Sequence, residues 1–164
     1  MQYMKLTAEE RDGLLAALAD MPGKLEREFA PLSPTERRQR GPADAFSPLE
    51  HVWHLADLEV EGFGIRIRRL LAEHDPRLPD FDGAAVARER DYRSLSFAEG
   101  LARFAAARRA NLEALRSVPP SAWSNSGWQE GVGMVSLCDM PSFLKQHDDA
   151  HRAEIRDWQA ARRG

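Results

Sequence analysis

Leu14, Leu18, Met21, Leu25 and Phe29 recur at intervals of three and four residues. That is the period of a helix with one buried face. Thr7 stands ahead of the run with Glu10 three residues on, the pairing of a capping box. Pro22 falls inside the run, lacks an N–H, and predicts a kink or a split there. A second pattern opens at "SPLE", with Ser47 as N-cap, Pro48 at the first helical position and Glu50 closing the box. Leu49, Val52, Trp53, Ala56, Val60, Phe63, Ile67 and Leu70 then form one broad stripe. The pattern reaches about His74, and Pro76 cannot continue it; the span is about 40 Å of helix. Leu58 and Ile65 project on another side, with Glu50, Asp57, Glu61 and Arg68 between. A two-faced helix suits neighbours on more than one side.

A third pattern follows Ser96 and Glu99, with Phe97, Leu101, Phe104, Leu112 and Leu115 as its stripe and Pro119-Pro120 as its end. In the fourth, Phe143, Leu144, Ile155 and Trp158 mark the buried face. It starts at Ser136 with Asp139 closing a box, or at Asp139 itself, and Pro141 favours the later start. No strand-like alternation competes with these four, so the expected class is all-α. The links between helices are long for structureless loops, the longest clear one over residues 75–95, and short helical turns at 84–91, after Asp82, and at 34–39, after Ser33, would relieve them. About 20 residues can stretch back along a helix of this length. Helices two and three can therefore lie parallel, joined by a crossover, in a four-helix bundle.

A chain of 164 residues reads as a single domain, 1–164, able to bury a sizeable core. Hydrophobic residues make up 43% and charged residues 30%, which excludes a disordered chain. The net charge of −3 argues against a nucleic-acid partner, and the runs "ERRQR" and "RIRR" read as solvated faces. The single cysteine, Cys138, leaves no intramolecular disulfide and points to a reducing compartment. The N-terminus has no apolar signal core, and no run nears the roughly 18 apolar residues that span a bilayer. A cytoplasmic protein without a membrane partner is expected. "SNSGWQEGVGMVS" is glycine-rich but lacks the strand-turn-helix setting of a phosphate loop.

Candidate chemistry sits in "HDDAHRAEIRDW". Leu144, His147, His151, Ile155 and Trp158 share one helical ridge. Two imidazoles one turn apart suit one cation, and a further ligand must come from another helix. In "LEHVWHLADLEVEGF" His54 projects to the second side of helix two and can face helix four. His51, one turn earlier, is a competing ligand. The alternative is that these are hydrogen-bonded packing histidines. His74 lies near the end of helix two, where it can meet terminal carbonyls.

These segments resemble the DinB-like superfamily of four-helix bundles, which includes YfiT-type metal-dependent hydrolases and bacterial thiol transferases. "SPLEHVWHLADLE" is similar to the family's second helix, "LARFAAARRANLEAL" to its third, and "HDDAHRAEI" to its fourth. "LPDFDGAAVARERDY" resembles the link that precedes helix three. The resemblance implies an up-down-down-up bundle and a divalent metal, zinc or nickel first, held by His54, His147 and His151. Where many members have glutamine before the isoleucine of the last motif, this chain has Glu154.

Three protein ligands leave an open metal, a Lewis acid that activates water or holds a thiol as thiolate. A hydrolase or a thiol S-transferase acting on a small molecule follows, with a low-molecular-weight thiol as cosubstrate in the second case. Asp148 beside His147, and Glu61 near His54, are the candidate catalytic carboxylates. Asp57 shares Glu61's position, and for both the plainer expectation is a solvated face. Arg108, near the seam of helix three, can pair with a buried carboxylate, grip an anionic substrate or snorkel. Trp123 and Trp128 can wall a pocket or cover a core edge. The competing function is a non-catalytic bundle that holds a metal or none, or that serves as a homodimerisation module through a free face of the bundle.

Overall fold

Four serine or threonine caps place the helices. In the computed structural model, which describes residues 2–164, Thr7, Ser33 and Ser47 each make a complete capping box, with Glu10, Glu36 and Glu50 respectively. Ser96 accepts from the Glu99 N–H, without the reciprocal bond. A short α1 (Gln2–Lys5) precedes α2 (Ala8–Phe29). Next come α3 (Pro34–Arg38) and α4 (Pro48–Asp57). A π-helical stretch, Leu58–Phe63, joins α4 to α5 (Gly64–Ala72). The linking region holds α6 (Gly83–Arg90), capped by Asp82. The last two helices are α7 (Phe97–Arg116) and α8 (Met140–Arg163). The long helices α2, α4 with α5, α7 and α8 form the up-down-down-up four-helix bundle. In it α7 packs against both α2 and α4, and α2 also packs on α8.

Three expectations need correction. Of the kink or split expected at Pro22, the split does not occur, since α2 runs as one helix through it. A proline removes the N–H that would bond the carbonyl four residues back, that of Leu18. Here Arg108 Nη1 donates to the Leu18 carbonyl at 2.8 Å, so the orphaned acceptor is satisfied by another helix. Second, the chain is not strand-free. Arg77–Leu78 (β1) pairs parallel with Ser126–Gln129 (β2), which pairs antiparallel with Gly133–Ser136 (β3). The glycine-rich segment is therefore a hairpin, turned by Gly131 and Gly133 at φ +76° and +106°. Strands this short carry too few residues for alternation to show. Third, the helix from Pro48 does not keep one angular period, because the π-helical stretch adds a residue to a turn. At that wide turn the Glu59 carbonyl accepts from Asn111 Nδ2 at 2.9 Å. A Cβ on Gly64 would lie 2.7 Å from that carbonyl oxygen, so only glycine lets the turn close.

Two apolar clusters make the core. One gathers Leu15, Leu18, Ile67, Leu70, Leu112, Leu115 and Leu144, with Tyr3 and Trp123 at its edge. The other holds Met21, Leu25, Phe29, Val52, Leu55, Phe104 and Ile155. Arg108 and Asp148, both buried, fall between the two sets along their helices, and the buried Glu59 lies beside Leu58 of the first set. The start of α8 combines both sequence readings: Ser136 and Asp139 make a box around a 3-10 turn, and the helix begins at Met140.

Candidate metal centre

The box at Ser47 fixes where α4 begins and so sets the phase of His51 and His54. His147 and His151 lie one turn apart on α8. The four rings meet. His147 Nε2 lies 3.1 Å from His151 Nε2 and 3.3 Å from His54 Nε2. Two nitrogens each bound at about 2.05 Å to one tetrahedral ion stand about 3.3 Å apart, so this spacing fits a shared cation. His51 approaches from the other side of His151, with the two Nδ1 atoms 3.0 Å apart. Glu154 Oε2 stands 3.2 Å from His151 Nδ1 and 3.8 Å from His51 Nδ1.

The residues fit a metal. Burial first, then neighbouring positive charge, pushes the pKa of His51, His54 and His147 from the usual 6.5 down to about 3. Each ring is therefore neutral at pH 7 and offers a lone pair. His51 Nε2 and His54 Nδ1 are buried without hydrogen-bond partners. Because a neutral imidazole has one lone pair and one N–H, His151 can ligate through Nε2 while Nδ1–H is held by Glu154 or His51. Among the described residues, His54, His147 and His151 could hold a metal ion as one group, and His51, His151 and Glu154 as another. The two groups share one ring.

Aromatic rings enclose the histidines. Phe46 stands 5.2 Å from His54 and 5.7 Å from His51, and Phe63 stands 6.1 Å from His147. The linking region closes over His54, with Phe81 at 6.2 Å. A Cβ on Gly83 would sit 2.4 Å from His54 Cε1, so the start of α6 presses its backbone on that ring. A hollow of about 380 Å³ opens beside His147, between Phe63, Phe143, Arg66 and Gln129.

The other candidates lie apart from the rings. Asp148 is buried and gives both oxygens to Arg108, at 2.7 and 2.9 Å. Glu61 is held by Arg90 at 3.0 Å, with Arg103 at 3.8 Å. Asp57 is not on a solvated face: it is buried and accepts from Arg90, Tyr92 and Arg103. Arg108 neither snorkels nor meets solvent, being bonded to two buried carboxylates. Trp123 covers the core edge against Tyr3, and Trp128 is exposed on β2. His74 is exposed, with its Nδ1 3.1 Å from Asp75. Cys138 is buried, with its sulfur accepting from the Met4 N–H. Glu59, Arg66, Asn111 and Gln129 carry no sequence signal of their own. Arg108 on an apolar seam is the one pointer to a buried acid, and "RIRR", read as solvated, contains the buried Arg66.

A family model described as the DinB superfamily matches residues 8–155. No curated protein matches the chain. Among solved structures, YfiT from Bacillus subtilis, described as a probable metal-dependent hydrolase with an unusual four-helix bundle topology, is similar at TM-score 0.85 and 18% identity. The match covers 94% of this chain and 89% of that one. The mycothiol-dependent maleylpyruvate isomerase is similar at TM-score 0.71 and 13% identity, over 95% of this chain and 62% of that one. At these identities the likeness concerns the fold. Among the described residues no helix is long and apolar enough to cross a membrane.

Proposed function

The chain belongs to the DinB superfamily, and we propose that it is a divalent-metal-dependent enzyme whose ion is held by Nε2 of His54, His147 and His151. The observation that carries this reading is the meeting of those three atoms, at 3.1 and 3.3 Å from the central His147. Zinc and nickel both suit neutral imidazoles. When bound, such an ion supplies Lewis acidity toward water or a thiol. The chain's own residues do the rest. Burial keeps the imidazoles neutral, Glu154 holds the Nδ1 side of His151, and Phe46, Phe63 and Phe81 limit water at the rings. Asp148 and Glu61 have their oxygens engaged by arginines, so Glu154, beside His151 Nδ1 and 46% exposed, is the carboxylate best placed to take a proton.

The fold neighbours named for metal-dependent hydrolysis and for mycothiol dependence supply two arms for a test: water as the acceptor, or a low-molecular-weight thiol. Metal content is measured on protein purified without a histidine tag, beside His54→Ala. Stoichiometric metal in the first and its loss in the second is expected. Turnover of electrophiles with and without thiol is then compared with His151→Ala. Equal turnover in that variant would remove the ion from the reaction, and equal metal content in His54→Ala would remove the site.

A further inference from the structure

Among the described residues two arginines are buried in this bundle, and one of them is neutralised. Arg108 meets two carboxylates. Arg66 is 6% exposed and has no salt bridge among the described residues. Its hydrogen bonds among the described residues are long ones to a single acceptor, the Pro79 carbonyl, at 3.3 and 3.4 Å. Nη1 makes none. Burial lowers its pKa, and Asp80 is the one acid that opposes the shift. A buried guanidinium without a counter-charge is costly. Phe63 lies under it, 5.5 Å away, and supplies a ring face but no charge.

Arg66 lines the 380 Å³ hollow beside His147. Gln129, on β2, lines it too; it is 6% exposed, and its Oε1 is buried without a partner. Phe63 and Phe143 supply apolar walls. A cation lacking its anion, an amide with one buried end unpartnered, which can turn either its oxygen or its NH2 to a ligand, and two aromatic walls describe a built ligand site of ordinary size. We infer that this hollow is the substrate pocket, and that it takes a small organic anion with an apolar body. Arg66 receives the anionic group, and the rest of the molecule lies against Phe63 and Phe143, beside His147. The purpose of the pocket rests on the metal-enzyme reading; its binding does not need the ion.

Titration calorimetry with phenylacetate and its neutral methyl ester, on chelator-treated protein, tests this directly. The acid is expected to bind at least about tenfold tighter than the ester, as a charged hydrogen bond in a desolvated site requires. Arg66→Gln should erase that preference and Arg66→Lys should keep part of it. Gln129→Glu, which places a carboxylate in the hollow, should reverse it. The wild-type comparison needs no variant to fold. Equal affinity for acid and ester, binding of neither, or an undiminished preference in Arg66→Gln overturns the inference. Zinc titrations on the same preparation separate the two readings. A preference for the acid without zinc uptake removes the metal and keeps the pocket, and zinc uptake without a preference does the reverse.

Discussion

The Arg108 network and the histidine cluster are two polar regions, joined where Asp148 follows His147 on α8 and Glu59 follows His54 along the chain, and they are finished to opposite degrees. All five N–H groups of Arg108 have acceptors: Glu59 twice, Asp148 twice and the Leu18 carbonyl. Asn111 Nδ2 completes the set on Glu59. A buried network satisfied throughout holds one packing arrangement and leaves nothing for a ligand. One turn away, the histidines leave His51 Nε2 and His54 Nδ1 unpaired and face three Nε2 atoms toward one another. The same chain that closes one polar site completely keeps the other open. The contrast teaches that the open site is a local choice and not a failure of the bundle to pair its polar groups.

Removing the closed region's centre should have the largest effect. Arg108→Leu leaves Glu59 and Asp148 as unpaired buried carboxylates and strands the Leu18 carbonyl opposite Pro22. A loss of about 3–5 kcal/mol is expected, read by chemical denaturation. A loss near zero would mean that the network is not buried as described. On the open side the fold should tolerate change while metal affinity does not. Glu154→Ala should weaken zinc binding by about tenfold, the low end for a partner of a ligating ring because Glu154 is half-exposed. Glu154→Gln should weaken it less, since its oxygen still accepts from His151 Nδ1. Competition with a chromophoric chelator measures both.

Acid should sharpen the comparison further. Native His51, His54 and His147 hold their pKa near 3, while the unfolded chain has them near 6.5. As pH falls below about 6.5 the unfolded state takes up protons that the native state refuses. Stability of the metal-free protein therefore falls with acid through the window from 6.5 to 3, by at most about 1.4 kcal/mol per pH unit for each such proton. Above 6.5 these groups add no slope. His147→Ala should flatten the fall, measured as denaturation midpoints at stepped pH, whereas an unchanged slope would place the protonation elsewhere.

Much of this was legible in the sequence. The capping signals at Thr7, Ser33, Ser47 and Asp82 mark helix starts because the cap and its bond lie within four residues of one another. His147 and His151 share a face because helical period is a local property. The hairpin at Gly131 was not legible, because its strands are four residues each and one pairs with distant Arg77 and Leu78. The role of Asp148 was not legible either: adjacency to His147 suggested the cluster, but successive positions on a helix point about 100° apart, and its carboxylate went to Arg108.

Sequence alone determined the helices, their approximate ends, the bundle class and the pairing of histidines within each helix, since each follows from spacing along one element. Only the packed structure decided which ring faces which, that Arg108 rather than a histidine takes Asp148, and that Arg66 is buried without an acid. Those outcomes depend on the rotation of one helix against another. The π-helical turn at Leu58–Phe63 resets that rotation in a way no fixed period along the chain can report.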